Sequence, residues 1–484
     1  MRKFAFIFIL FFAVLIAGCS KGDCECSWVG APTPAPVTVT GKVVNPLLPG
    51  NPGVEGIEVT FASKTLAQKS LTDSSGNFSL EIPGNSNITL NFIKHNYYAP
   101  PIDINTGSGG SMVIDDVNAS VLLWADMTEI SYFVSTLFTF PNGYNDSHFV
   151  ISPDGNHMYI AAYMMDFSLY QVMCFDINTN ELTLVAGAET TNVIEPEKPV
   201  AGDKASFAYI TDIEISSDGD VIYLTDIYRN ESYVRKIVEF NNATNPSDVM
   251  VYTIHKYSTS NAELFNKLEV TPDEKTLYVT MQQSNTSILK ITNVKNAEKP
   301  TDTFASTFAV QDNQKPLVGS LANVGFWGAH DLEITPDGDT LYVSDNYSIR
   351  KITGINTVDP QVVLLVGGSL FLQGQEGIGS DVVTANARLA LTDDDDTMFY
   401  FQQSETRHPI KKLTGIKDAK DADKTNVTII TREEHGTQDG DMTSASFGRI
   451  CDIALNSQNT ILYFIDNYNQ QAPYKIRSIV AKEK

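Results

Sequence analysis

One stretch and its copies constrain this chain more than anything else in it. Residues 331–343 read DLEITPDGDTLYV. Leu332 and Ile334 alternate with polar neighbours, Pro336, Asp337 and Gly338 turn the chain, and Leu341, Tyr342 and Val343 resume the apolar run. That is strand, tight turn, strand. Five relatives recur after about residue 130, with Tyr159, Tyr223, Tyr278, Phe399 and Tyr463 in the place of Tyr342. Six copies roughly sixty residues apart predict a radial β-repeat with one blade per copy.

The alignment is consistent with itself. Eleven residues before each aromatic stand His148, Asp212, Lys267, Asp331, Arg388 and Asp452, so basic and acidic types alternate around the whole ring. The next residue is always apolar (Phe149, Ile213, Leu268, Leu332, Leu389, Ile453), and so is the one two further on. A strand with one packed face requires this alternation.

Helical periodicity is scarce, and Val, Ile, Thr, Tyr and Phe dominate the periodic segments, so the fold class is all-β. A net charge of −24 lacks the cationic face that nucleic acid demands, which excludes that partner class. At the N-terminus, Arg2 and Lys3 precede a short apolar run, residues 4–15, which ends in Ile16, Ala17, Gly18 and Cys19. This resembles a bacterial lipoprotein signal peptide, residues 1–18, with Cys19 as the lipidated (palmitoylated) first residue of the mature chain. The run is shorter than a bilayer span, which argues against a transmembrane anchor. Removing Arg2 and Lys3 takes the net charge to about −26 on the same count. The resemblance implies attachment to a membrane through acyl chains. Ser20 after the cysteine is, in that family, the pattern of export to the outer membrane; a place at the cell surface is the expectation, with a periplasmic facing left open. Cys24 and Cys26, one residue apart, are poorly placed for a mutual disulfide. Cys174 and Cys451 fall in strand patterns and read as buried small hydrophobes. The cysteines show no metal-type spacing.

Residues 19–36 carry prolines at 32, 34 and 36 and read as a lipidated tether. Residues 37–118 read as a small β domain, with alternation at 57–61 and 78–82 and a hairpin turn from Asp73 to Gly76. The strand at Gly41-Lys42-Val43 and the turn Thr72-Asp73-x-x-Gly76-x-Phe78 resemble the carboxypeptidase regulatory-like (transthyretin-like) sandwich, whose modules are non-catalytic spacers. Residues 119–130 read as a linker. The strand 132–140 has no blade of its own, and the sixth copy ends without a fourth strand. Supplying that strand from 132–140 closes a six-bladed β-propeller over 131–484 and leaves no open edge.

The inner strand, the PDG turn, the Y-x-x-D ending and the Ile349-Arg350-Lys351-Ile352 strand, with its copy at Val234–Ile237 and a looser one at Lys475-Ile476-Arg477, resemble the NHL-repeat propellers. The aromatic spacings of 64, 55, 64, 57 and 64 group the blades in pairs. The even blades share Phe207, Phe326 and Phe447, then Asp226, Asp345 and Asp466, then Tyr228, Tyr347 and Tyr468.

Strand direction gathers the ring residues, the long loops leading into the inner strands and the Asp-x-Tyr loops on one face. The channel-mouth ring has two readings, a belt of inter-blade ion pairs and a polar ligand mouth, and the first is favoured. Asp212, Asp331 and Asp452 are the plausible carboxylate set for a metal, but a cation-bearing blade separates each from the next, so no metal, no cofactor and no catalytic residue is assigned. Trp327, His330, Tyr228, Tyr347 and Tyr468 are the candidate ligand-binding residues, since flat aromatic faces with polar tips suit carbohydrate. Packing of the repeated tyrosines loop against loop, with Asp345 bonding local backbone, is the competing reading and the favoured one. Trp327 is not repeated and is the better single candidate. His435, Asp439 and Asp441 read as solvated. The sequence thus predicts an outer-membrane lipoprotein, leaning non-catalytic, that binds an extracellular ligand, carbohydrate first. The alternatives are a lactonase- or lyase-type propeller enzyme and a scaffold for an outer-membrane protein partner.

Overall fold

The computed structural model describes residues 34–48, 50–61, 69–94, 96–123, 130–166, 168–188, 198–258, 263–282, 285–368, 375–402, 409–431, 436–442, 444–467 and 473–483. Cys19, His95, His435 and Tyr468 lie outside them. The described residues form strands, turns and short 3-10 segments, without an α-helix. Among them no helix is long and apolar enough to cross a membrane.

Two sheets come first. Val37–Val44 pairs with Asn77–Ile82 and Gly110–Val113, while Glu58–Phe61 lies between Lys69–Leu71 and Asn87–Ile93, which pairs in turn with Ile102–Asn105. The alternation in Asn77–Ile82 buries Phe78, Leu80 and Ile82, and these meet Val59, Phe61 and Leu90 of the second sheet in one apolar core. Asp73 caps the turn to Asn77 by accepting from the backbone N–H of Ser75 and Asn77. Gly76 at φ +84° brings the chain so close to Val43 that a Cβ there would stand 2.1 Å from its carbonyl oxygen, so only glycine fits.

From residue 130 on, the described strands form six antiparallel sheets. The repeat hairpin at 331–343 is built from Ala329–Ile334 and Thr340–Asp345, with Leu332 opposite Val343. The innermost strands of the six sheets are Tyr144–Ile151, Ile210–Ile215, Leu264–Val270, Ala329–Ile334, Ala387–Leu391 and Arg449–Leu455. Each adjoins the next, and the sixth adjoins the first, so the ring is closed in a propeller-like arrangement. Apolar clusters fill the gaps between successive sheets; that between the first and second sheets joins Tyr159 and Val172 to Ile213, Leu224 and Ile237. In the last sheet, Lys475–Glu483 is flanked by Ile461–Asn467 on one side and Ile130–Thr139 on the other. Chain segments far apart in sequence therefore share one sheet, and no backbone edge is left open between them.

The segment 119–130, read as a linker, is partly built into this sheet. Ser120–Val121 pairs with Tyr97–Tyr98 on one side and with Ala481 on the other. Val121 and Leu123 are buried beside Tyr132 and Ile479. The alternation of this short segment gave no strand signal because two residues are too few to show a period.

Candidate functional site

The ring residues converge as ion pairs between adjoining sheets, with one further contact across the axis. Lys267 Nζ donates to Asp212 Oδ1 at 2.5 Å on the adjoining sheet, then reaches across the axis to Asp452 Oδ2 at 3.6 Å. His148 Nδ1 stands 3.2 Å from Asp452 and 3.2 Å from Lys267 Nζ. Arg388 faces Asp331 at 3.7 Å. The carboxylates also brace the ring through backbone: Asp212 accepts from Leu268 N and Asp331 from Leu389 N. In the second, fourth and sixth sheets a register shift sits just before the ring aspartate, between Ile210 and Asp212, Ala329 and Asp331, and Ile450 and Asp452. Such a bulge re-aims a side chain toward the axis.

His148, Asp212 and Asp452 offer ligand atoms within 4.8 Å of one another, a different set from the three aspartates. The Lys267 ammonium already stands among them, holding the place that a divalent ion would need. Burial would raise the Asp452 carboxyl, but Lys267 and His148 overcome it and hold the group well below the usual carboxylate range. Burial outweighs Arg388 at Asp331 and raises that carboxyl to about 6.

Below the ring lies a second acidic tier absent from the sequence reading. Glu214, Glu269 and Glu333 stand two residues after ring positions and line a central cavity of about 180 Å³ with Asp212, Lys267 and Asp331. Enclosure by protein, and then the neighbouring carboxylates, push all three well above the usual range. The signal was present: with period two, residues i and i+2 share a strand face.

The even-sheet features resolve into one repeated unit. Arg350, fully buried, pairs with Asp345, donates to the carbonyls of Gly325 (2.9 Å) and Leu317 (3.1 Å), and lies 3.8 Å over the Phe326 ring. Arg235 repeats this with Asp226, Ser206 O and Phe207, and Arg477 with Asp466, Ser446 O and Phe447. Each aspartate also accepts a backbone N–H from the residue after the phenylalanine, namely Ala208, Trp327 or Gly448. The repeated aspartates are thus structural anchors of the lead-in loops. Asp439, read as solvated, is engaged as well: it pairs with Arg477 and accepts from Thr136. Gly440–Asp441 forms a short strand against Phe133 and Val134.

That anchor positions Trp327 and Tyr347. Asp345 accepts the backbone N–H of both, and their rings meet edge to face at 5.3 Å. They line a pocket of about 480 Å³ between the third and fourth sheets, shared with Asn285, Gln311, Asn313 and Asn346. Asn346 is oriented by donating to Trp327 O and accepting at Oδ1 from His330 Nε2 at 2.6 Å. Burial lowers the His330 imidazole, which suits its neutral, hydrogen-bonding role. The Trp327 Nε1–H is buried without a hydrogen-bond partner among the described residues. Tyr228 does not join this group. It ends a strand of the second sheet, Val221–Tyr228, and lies beneath Arg229 at 4.9 Å. Sequence reasoning missed Asn285 and Gln311, because both come from the neighbouring sheet and neither occupies a repeat position. Cys451 is buried, whereas Cys174 is half-buried and lines a crevice between the first two sheets.

No family model matches the sequence, and no curated protein matches it. Solved structures do match in fold. An auxiliary nutrient binding protein from Bacteroides thetaiotaomicron VPI-5482 superposes with a TM-score of 0.50 at 12% identity, over 88% of this chain and 91% of that one. A protein described as a putative phosphatase, from the same organism, gives the same score, identity and coverage. At such identity the likeness is one of fold, and the two descriptions differ in activity.

Proposed function

We propose that this chain is a non-catalytic, lipid-anchored binding protein of the outer membrane that captures an extracellular carbohydrate on the lead-in loop face of a six-bladed β-propeller. In this reading Cys19 carries the lipid, residues 19–36 are the tether, the sandwich at 37–118 is a spacer, and the NHL-like propeller spans 131–484. The observation that carries it is the pocket of Trp327 and Tyr347 among four side-chain amides. An indole face supplies an apolar platform for a sugar ring, and amides supply paired donors and acceptors for hydroxyls. The pocket lacks a strong charge apart from Asp312, which fits a neutral glycan better than a phosphorylated one.

The test is affinity electrophoresis of the detergent-solubilised mature chain against a panel of soluble polysaccharides. One glycan should retard the protein, and Trp327→Ala and Tyr347→Ala should each abolish retardation while Tyr228→Ala does not. Labelling with an alkynyl fatty acid, lost in Cys19→Ala, checks the anchor.

A further inference from the structure

The residue opposite each repeat aromatic on the third strand varies in an informative way. Tyr223 faces Lys236, Tyr278 faces Lys290, Tyr342 faces Lys351 and Phe399 faces Lys412. Tyr159 faces Cys174 and Tyr463 faces Ser478, so the first and sixth sheets lack the lysine. In the second and fourth sheets this lysine is buried and crosses to the following sheet. Lys236 Nζ donates to Lys295 O at 3.2 Å, and Lys351 Nζ donates to Ile416 O at 2.8 Å and Lys417 O at 2.7 Å. The acceptors sit in the turn after the third strand, one or two residues after a residue of positive φ, Asn293 (66°) or Gly415 (75°). In the second sheet the same turn has Glu239 at φ 65°, followed by Phe240 and Asn241. A lysine at position 174 would reach this turn, and the chain has a cysteine instead.

The crevice left between the first and second sheets is a cavity of about 260 Å³, lined by His157, Tyr159, Cys174, Phe240, Asn241 and Thr244 among others. Tyr159 and Phe240 meet edge to face at 5.1 Å, and His157 stacks on Tyr159. The carboxylates of Asp154 and Asp176 each stand 4.0 Å from a ring nitrogen of His157, which lines the cavity. Burial pushes the Cys174 thiol up to about 11, so it stays neutral and adds no charge of its own.

We propose that this cavity binds a small ligand bearing a primary ammonium group. The ligand's ammonium takes the place that Lys236 and Lys351 fill in the sister crevices, against the main chain of Phe240 and Asn241. Tyr159 and Phe240 flank its apolar stem, and their ring faces favour a cation. The site lies on the turn side of the ring and shares no residue with the Trp327 pocket, so the two stand or fall separately.

The probe is n-butylammonium, which reproduces a lysine side chain from Cβ outward, with n-butanol as its neutral counterpart. Titration calorimetry of the detergent-solubilised chain at neutral pH should show saturable binding of butylammonium at least tenfold tighter than butanol. Cys174→Lys installs the repeat's own lysine and should abolish that binding, while Cys174→Ser retains it and Trp327→Ala leaves it unchanged. Equal response to the two probes, or full butylammonium binding by folded Cys174→Lys, overturns the proposal. If Cys174→Lys does not fold, Cys174→Met fills the same space without charge. Loss of binding there supports the site, and full retention overturns it.

Discussion

Replacing Arg350 by methionine tests what holds the aromatic pocket in place. Methionine keeps most of the stem volume and removes the guanidinium. In the protein that group is fully buried, pairs with Asp345, bonds two backbone carbonyls and lies over Phe326. Removing one partner of a buried ion pair costs about 3–5 kcal/mol. Each orphaned carbonyl adds roughly 1 kcal/mol, and the lost cation–π contact about as much again. These contributions overlap, so they do not sum. Asp345 also keeps bonds from Ser348 Oγ and from the N–H groups of Trp327 and Tyr347, which softens the loss. The expected net destabilisation is about 4 kcal/mol. Guanidinium unfolding followed by tryptophan emission and by far-ultraviolet dichroism measures it, with coincidence of the two probes required for a two-state reading. Arg350→Met with Asp345→Asn should recover about half of the loss, because the carboxylate no longer stands unpaired. A single-variant cost below about 1 kcal/mol, or a double variant less stable than Arg350→Met, would refute the reasoning.

The remaining predictions concern the axis and the ring closure. Asp331 is raised from 3.8 to about 6 in the folded chain, so the folded state binds the proton more tightly, and its contribution, up to about 3 kcal/mol, is full below pH 3.8 and lost as pH rises to 6. Glu214, Glu269 and Glu333 act in the same sense above pH 4.5, so the melting temperature should fall as pH rises from 4.5, and Glu→Gln at all three should flatten that slope. Asp452, held low, has the opposite sign, but its contribution is lost only below pH 3.8. Lys267→Ala vacates the position between His148, Asp212 and Asp452, so Mn²⁺ should raise the melting temperature of that variant and leave the parent unmoved. Deleting 131–140 removes a strand paired along Lys475–Glu483 and should remove most of the stability of the six-sheet ring; an unchanged melt would show that the closure carries no weight.

The all-β class was legible because the offset of eleven between ring residue and aromatic fixes strand, turn and strand at once. The direction in which a long side chain reaches was not. The repeat places Lys267 beside Asp212, which it does pair with, but four methylenes also let it reach Asp452 across the axis, which adjacency in the repeat does not show. The three even-sheet aspartates and the arginines of the third strand were each visible as repeats, but their pairing with one another was not, and the third-sheet loop that completes the pocket has no repeat signature. Trp327 could be singled out because nothing else in the repeat resembles it. The amides around it became neighbours only through the ring.

The most direct test of carbohydrate capture uses Trp327 as its own reporter. The chain has three tryptophans, so Trp28→Phe with Trp124→Phe leaves Trp327 alone. Titrating that variant with the polysaccharide panel should give a saturable change in emission for one glycan, abolished by Asn346→Ala together with Gln311→Ala. Emission that stays constant across the panel, or a glycan that binds tightly without moving it, would contradict binding at this pocket.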